Sequence, residues 1–464
     1  MSHPVPASPT VSAATPRSAW WSLAVLAVAQ LMLVLDVTVV NVALPRLSAD
    51  LGLSADLAGW AIAAYAVPFG GLLLLGGRLA DAVGARRMLL IGLGVFIVGS
   101  LAAGLSTGVA AYLGARALQG AGGALLSPAA LSSLLRRFEG TARRRALAIW
   151  GAVGGGGAAL GLLVGGLLTG GPGWRWIFFI NVPIGIVVAI LIPRLLAAVP
   201  PVRGRRIGVV PALLATVGLA ALIGAASVAS LQGGLVSLGL AVVGVIMLGL
   251  FVIVERRSPQ PLIRPGLLVQ RAMATGSLLM LVTTGLLVGS LLLLSFFVQD
   301  GLGWSATATG LAFLPIAVAL VVGAQGGGHL LGQFGSRRLA PIAAVISAVG
   351  LGLAVWAVAS EQPVGAIAAI TLASIGFGIN LVTGSTTALG QVDDEESGSA
   401  SGAVNAAHEV GSASGAAVFS MLGVALSTAS ALGWAAAVAV VLAALAVLVL
   451  PNFVPAPGEA WGGH

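Results

Sequence analysis

Gly77-Arg-Leu-Ala-Asp-Ala-Val-Gly84-Ala-Arg-Arg87 returns 251 residues later as Gly328-His-Leu-Leu-Gly-Gln-Phe-Gly335-Ser-Arg-Arg338. Two glycines and an arginine pair align in the two copies without a gap. Each copy lies between two long apolar runs, so each reads as a tight polar turn between helices. Its recurrence marks an internal duplication. The first copy follows the second apolar segment and the later copy follows the tenth, whereas a plain doubling of six would place it after the eighth. Six helices, two inserted helices and six more account for the difference. Parallel six-helix halves are a transporter construction, with the binding site at the midplane between them.

Composition demands a membrane. Of 464 residues 58% are apolar and 8% are charged, against about 25% charged in soluble domains. The mean hydropathy is +1.07. Apolar runs of twenty residues and more exclude an outer-membrane barrel, whose strands alternate over about ten residues. Only closed helices satisfy the backbone in lipid, and each span takes about 20 residues. All 22 basic residues are arginines; in such a chain they are topology signals, not a nucleic-acid surface. There is no cysteine, which removes disulfides, thiolate metal sites and thiol nucleophiles.

Fourteen apolar segments are expected, at 20–44, 57–77, 88–107, 109–131, 146–169, 176–198, 208–230, 233–254, 273–298, 306–327, 339–360, 363–390, 400–428 and 431–451. With the N-terminus inside, 19 of the 22 arginines fall on inner loops, Arg46 and Arg175 fall outside, and Arg116 lies within a span. That asymmetry sets the orientation. The expected organisation is a disordered cytoplasmic tail at 1–19, a six-helix bundle at 20–198, inserted helices at 208–254, a second bundle at 273–451 and a cytoplasmic tail at 452–464. The first apolar segment is too long for a signal peptide and is read as uncleaved.

Several motifs carry a family resemblance. Leu35-Asp-Val-Thr-Val-Val-Asn-Val-Ala-Leu-Pro45, the Gly77–Arg87 loop, Arg116-Ala-Leu-Gln-Gly-Ala-Gly-Gly123 and Trp174-Arg-Trp-Ile-Phe-Phe-Ile-Asn-Val-Pro-Ile-Gly185 together resemble the major facilitator superfamily, in its fourteen-helix drug:proton antiporter subfamily. The resemblance spans nearly the whole chain. It implies an all-α major facilitator fold, a coupling role for Asp36 and Arg116, and a cytoplasmic gating loop of Gly77, Asp81, Gly84, Arg86 and Arg87. In that loop Asp81 would stabilise a helix N-terminus and pair with a basic residue. The helix 5 antiporter motif is represented by Gly157, Gly161, Gly165 and Gly166, but its usual proline is Leu162 here. The glycines keep close helix packing; the bend that proline adds is missing.

Ionisable groups inside spans face cavities or partners, and three stand out: Asp36, Arg116 and Glu409. At about 1.5 Å per residue, Asp36 and Arg116 lie at the same depth to within roughly one turn and can pair. Two readings follow, a static structural ion pair or a switch in which parting strands the carboxylate and a proton replaces the arginine. Glu409, in the inner half, could meet a cationic substrate, carry a second proton or bond to a neighbouring helix. Its neighbour His408 is a possible proton relay that points about 100° away. Gln30, Asn41, Tyr65, Gln325, Asn380 and Asn405 are candidates to line the substrate cavity, or else interhelical hydrogen-bonding residues. The acidic loop Asp393–Glu396 reads as solvated surface.

No Walker-type loop or lysine supports ATP hydrolysis, and no catalytic or metal-ligating set is present. The chain is therefore not expected to be an enzyme and needs no cofactor. The expected function is proton-coupled efflux of hydrophobic, often cationic drugs or antibiotics, from a bacterial inner membrane, by a monomer whose termini are both cytoplasmic. A dedicated exporter of one endogenous metabolite or self-made antibiotic is the alternative; a non-transporting sensor or scaffold is a remote one. Protons, small molecules and the bilayer are the expected partners, with no nucleic acid.

Overall fold

The computed structural model describes residues 16–54, 57–138, 140–197, 207–228, 234–262, 265–390, 392 and 397–454. The acidic stretch 393–396 and most of both expected tails lie outside them.

Fourteen long helices are present among the described residues: α1 Pro16–Leu51, α2 Trp60–Val83, α3 Ala85–Leu105, α4 Val109–Arg137, α5 Gly140–Gly170, α6 Asn181–Leu195, α7 Val209–Val228, α8 Gly234–Arg257, α9 Arg271–Phe296, α10 Leu314–Phe334, α11 Ser336–Ala359, α12 Pro363–Leu389, α13 Ser397–Ala425 and α14 Thr428–Val449. Short helical pieces at Trp176–Phe179 and Ala306–Ala312 precede α6 and α10. Ten of the spans are long and apolar enough on their own to cross a bilayer, and α4 and α13 are not among them. Those two helices carry Arg116 with Gln119 and His408 with Glu409, whose polarity lowers their hydropathy.

The repeat has a structural counterpart. Gly84 ends α2 at φ 104° and Gly335 ends α10 at φ 71°, and each donates its N–H to the carbonyl four residues back, at 3.1 and 3.0 Å. Positive φ is a conformation glycine adopts freely and other residues do not. The helix pairings also recur: α3 on α4 and α11 on α12, α2 on α4 and α10 on α12, α1 on α5 and α9 on α13. Small residues permit the approach. A Cβ on Gly122 would meet the Phe96 backbone, and one on Gly350 the Ala373 backbone.

The helices alternate between a Gly52 end and a Gly84 end. Both ends of the described chain lie at the Gly84 end. Ser22 Oγ donates to Leu195 O at 3.0 Å, and Ser336 N–H donates to Phe453 O at 2.9 Å. Residues 452–454 are thus packed on the α10–α11 turn.

The two inserted helices are unlike each other. α7 stands against α2, α13 and α8, with Ile223 among Ala63, Ala66, Val67, Ala413 and Ala417. α8 rests on α7, and nearly all of its apolar residues are exposed or half-buried. Polar cysteine reagents should therefore fail to label Leu238→Cys, Val242→Cys and Val245→Cys in membranes. Labelling that substrate blocks would instead place α8 in the pathway.

Candidate functional site

The buried charges meet where α1, α3, α4 and α6 converge. Arg116 Nη1 donates to Asp36 Oδ2 at 2.5 Å and to Gln119 Oε1 at 2.7 Å. Asp36 Oδ1 accepts from Gln119 Nε2 at 2.7 Å and from Asn181 Nδ2 at 3.1 Å. Those two amides also donate to Ser100 Oγ, at 3.1 and 3.0 Å, and Ser100 Oγ donates to Phe178 O at 2.9 Å. The serine hydroxyl thus uses its single proton and both lone pairs. Both side chains of the ion pair are sealed, at 1% exposure for Arg116 and 0% for Asp36.

Aromatic rings complete the enclosure. The Arg116 guanidinium lies 4.5 Å from the Tyr65 ring centroid and 5.4 Å from that of Phe178, distances at which a cation gains from the ring face. Tyr65 stacks on Phe69 at 5.5 Å. Tyr112, Trp174 and Phe178 pack edge to face. Arg116 Nε and the hydroxyls of Tyr65 and Tyr112 are buried without a hydrogen-bond partner. Side chains cover the pair except where Asp36 and Asn181 line a small apolar cavity between α1, Val164 of α5 and the Ile177–Ile184 stretch, and one face of α1 holds it against α3, α4 and α6.

The other face of α1 rides on the glycines of α5. A Cβ on Gly157 would meet Leu31 and Val34, one on Gly161 would collide with Thr38, and one on Gly165 with the Val39 backbone. Gly166 turns elsewhere, toward Ala306 and Gly310 across the junction between the two halves. Leu162 is buried, and α5 runs unbroken from Gly140 to Gly170.

The other expected site residues are dispersed. Asn41 donates to Val37 O and Thr38 O of its own helix. Its Oδ1, Gln30 Oε1 and Asn380 Oδ1 are buried and unpartnered, while Gln325 and Asn405 are exposed. Glu409 is 8% exposed, and His408 turns to Thr284 Oγ1 at 3.0 Å. In the Gly84 loop, Asp81 lies 3.5 Å from Arg136 of the same half, Arg86 is half-buried and Arg87 is exposed. At the Gly52 end, Arg46 donates to Thr169 O and Arg175 pairs with Asp50 at 3.1 Å.

Gln119, Asn181, Ser100 and Tyr112 were not expected at the site. Gln119 and Asn181 lie inside the quoted motifs, which was the available signal. Ser100 has none.

Comparison with known proteins gives the same family. The family model for the Major Facilitator Superfamily matches residues 26–416 and 293–462. The chain is 39% identical to the puromycin resistance protein pur8 of Streptomyces alboniger over 411 residues, covering 86% of this chain and 80% of that one. It is 38% identical to the cephamycin export protein CmcT of Amycolatopsis lactamdurans over 431 residues, covering 89% and 86%. It is 33% identical to the multidrug resistance protein Stp of Mycobacterium tuberculosis (strain ATCC 25618 / H37Rv), covering 83% and 72%. With its all-helical fold and membrane-length spans, the chain belongs to the Major Facilitator Superfamily and is a multi-pass membrane transporter of small molecules, not an enzyme.

Proposed function

We propose that this chain exports hydrophobic, often cationic drugs or antibiotics from the cytoplasm in exchange for protons, by alternating access. The observation that carries the reading is the sealed Asp36–Arg116 pair, whose carboxylate is held by three donors from two other helices. Arg116 compensates the carboxylate charge while the helices are together. When rocking parts them, the desolvated carboxylate takes a proton from the outer side, and re-forming the pair expels it inward. A buried charge that loses its partner is too costly to persist, so a parting of α1 from α4 within the first half and movement of the proton are tied. The gradient supplies the energy, and no cofactor is required.

The Gly84 end is the cytoplasmic one in this reading, because inner-loop arginines gather there with both ends of the described chain. Gly166 against Gly310 then forms the closed outer gate. The Gly84 loop, with Asp81 and Arg86, governs the cytoplasmic side. Gln30, Asn41, Tyr65, Gln325, Asn380, Asn405 and Glu409 contribute to the substrate path. The protein works as a monomer in a bacterial cytoplasmic membrane. Export of one antibiotic rather than many is the second reading, favoured because two relatives are named for puromycin and cephamycin.

Expression in an efflux-deficient host should raise resistance, and energised inverted vesicles should take up the same compounds until a protonophore is added. Uptake that ignores the proton gradient rejects the coupling. A resistance profile confined to one compound selects the dedicated exporter.

A further inference from the structure

One flank of the ion-pair network borders a cavity of about 100 Å³. It lies on α1 in the gap between α5 and α6, and Val28 and Leu35 of α1, Val164 of α5 and Ile184 of α6 are among its walls. Among the described residues its only polar members are Asp36 and Asn181. The mouth is on the lipid side. Val28 is 40% exposed, and α6, whose main neighbours are α1 and α3, exposes Ile186, Val187 and Ile190. The cavity is thus separate from the junction between the halves, where Gly166 meets Gly310.

Hydrogen bonding defines what fits there. Asn181 is 3% exposed, and both hydrogens of its amide are spent, on Asp36 Oδ1 at 3.1 Å and on Ser100 Oγ at 3.0 Å. A carboxylate only accepts, so the amide nitrogen must face it. The carbonyl oxygen is what Asn181 has left, and no donor among the described residues reaches it. A lone acceptor between apolar walls does not hold a water, which needs two to four polar partners. Apolar cavities on the order of 150 Å³ stay dry and take benzene-sized molecules. A cation would gain little, because Arg116, Gln119 and Asn181 already satisfy the carboxylate, and it would be stripped of water at a cost. We infer that this cavity is a second ligand site of the transporter, entered from the bilayer, for small uncharged apolar molecules that bring one O–H or N–H to Asn181 Oδ1.

Occupation of the site bears on transport, and this part rests on the proton-exchange reading. The ion pair ties α1 to α4, and α1 can part from α4 only by yielding toward its other neighbours. Close-packed interiors leave little slack for such a shift; the cavity supplies it beside Asp36. A molecule lodged there removes that room while the substrate path stays free. Inhibition is then non-competitive with the exported compounds.

The experiment uses full-length protein in lipid nanodiscs, with 4-fluorobenzyl alcohol and its methyl ether as fluorine NMR probes and protein-free nanodiscs as the partition blank. The alcohol should bind saturably and about fivefold more tightly than the ether, the size of one neutral hydrogen bond. Val28→Trp and Ile184→Trp, which fill the cavity from α1 and from α6, should each weaken both probes at least tenfold; if one variant is not monodisperse, the other decides. Asn181→Leu should bring alcohol and ether to equal affinity. In energised inverted vesicles, alcohol at concentrations that leave the proton gradient intact should at least halve the maximal uptake rate and leave KM unchanged. No saturable binding, or undiminished binding in a monodisperse tryptophan variant, would overturn the site. A raised KM at an unchanged maximal rate would put the alcohol in the substrate path instead, and an unaltered rate would overturn the inhibition. Vesicles that accumulate no compound at all would reject the efflux reading, while the fluorine titrations still decide the site.

Discussion

Asp36→Asn is expected to abolish proton-driven uptake while the protein still reaches the membrane folded. The substitution keeps the shape and removes the charge that Arg116 faces at 2.5 Å. An uncompensated buried partner can cost about 3–5 kcal/mol. Part of that is offset, because Gln119 Oε1 still accepts from Arg116 and the Tyr65 and Phe178 rings still cover it. The site therefore survives as a polar cluster that no longer carries a proton. Uptake into inverted vesicles should fall to the background of empty membranes, with expression and elution in detergent unchanged. Full transport by a well-expressed variant would make the pair a static brace and end the switch reading.

Asp36 and Arg116 were legible because a lone charge in an apolar span has few explanations, and helical rise then placed the two at one depth. Their three companions were not. A single glutamine, asparagine or serine in a span is common and contributes modestly; only the rotation of α3, α4 and α6 about their axes selects these. Helix ends also escaped hydropathy. α1 runs to Leu51 and not 44, since Arg46 and Asp50 find partners in Thr169 O and Arg175, so charged residues extend the helix past the apolar run. The two inserted helices read alike because both are uniformly apolar, and nothing in their composition distinguishes α7 on the α2–α13 seam from α8 outside it. The separate short helix Ala306–Ala312 was likewise merged with α10 in the expected span, although it carries the glycine that meets α5.

That glycine contact makes Gly166→Leu the other substitution of large expected effect. A Cβ at Gly166 would come 2.8 Å from Ala306 O and 2.9 Å from Gly310 Cα. Both are backbone atoms, which cannot swing aside as a side chain could. Thr307 Oγ1 also donates to Gly166 O at 3.1 Å, so the two backbones are fastened as well as close. The crowding falls between the halves and leaves the interior of each intact. Folding is accordingly spared, and the cost falls on the one arrangement in which α5 meets Ala306–Ala312. Overpacking of this kind costs about 1–3 kcal/mol, enough to shift a two-state equilibrium by about 5–150-fold. A cycle that must pass through the closed Gly52 end would then stall with that end open. Because the native chain has no cysteine, Ala306→Cys, buried at 0% exposure, reports the opening directly. Its labelling by an impermeant maleimide should accelerate at least fivefold when Gly166→Leu is added, and uptake should fall in parallel. Unchanged labelling with normal uptake would show that the Gly166–Gly310 contact is not a gate, and that the two halves separate elsewhere.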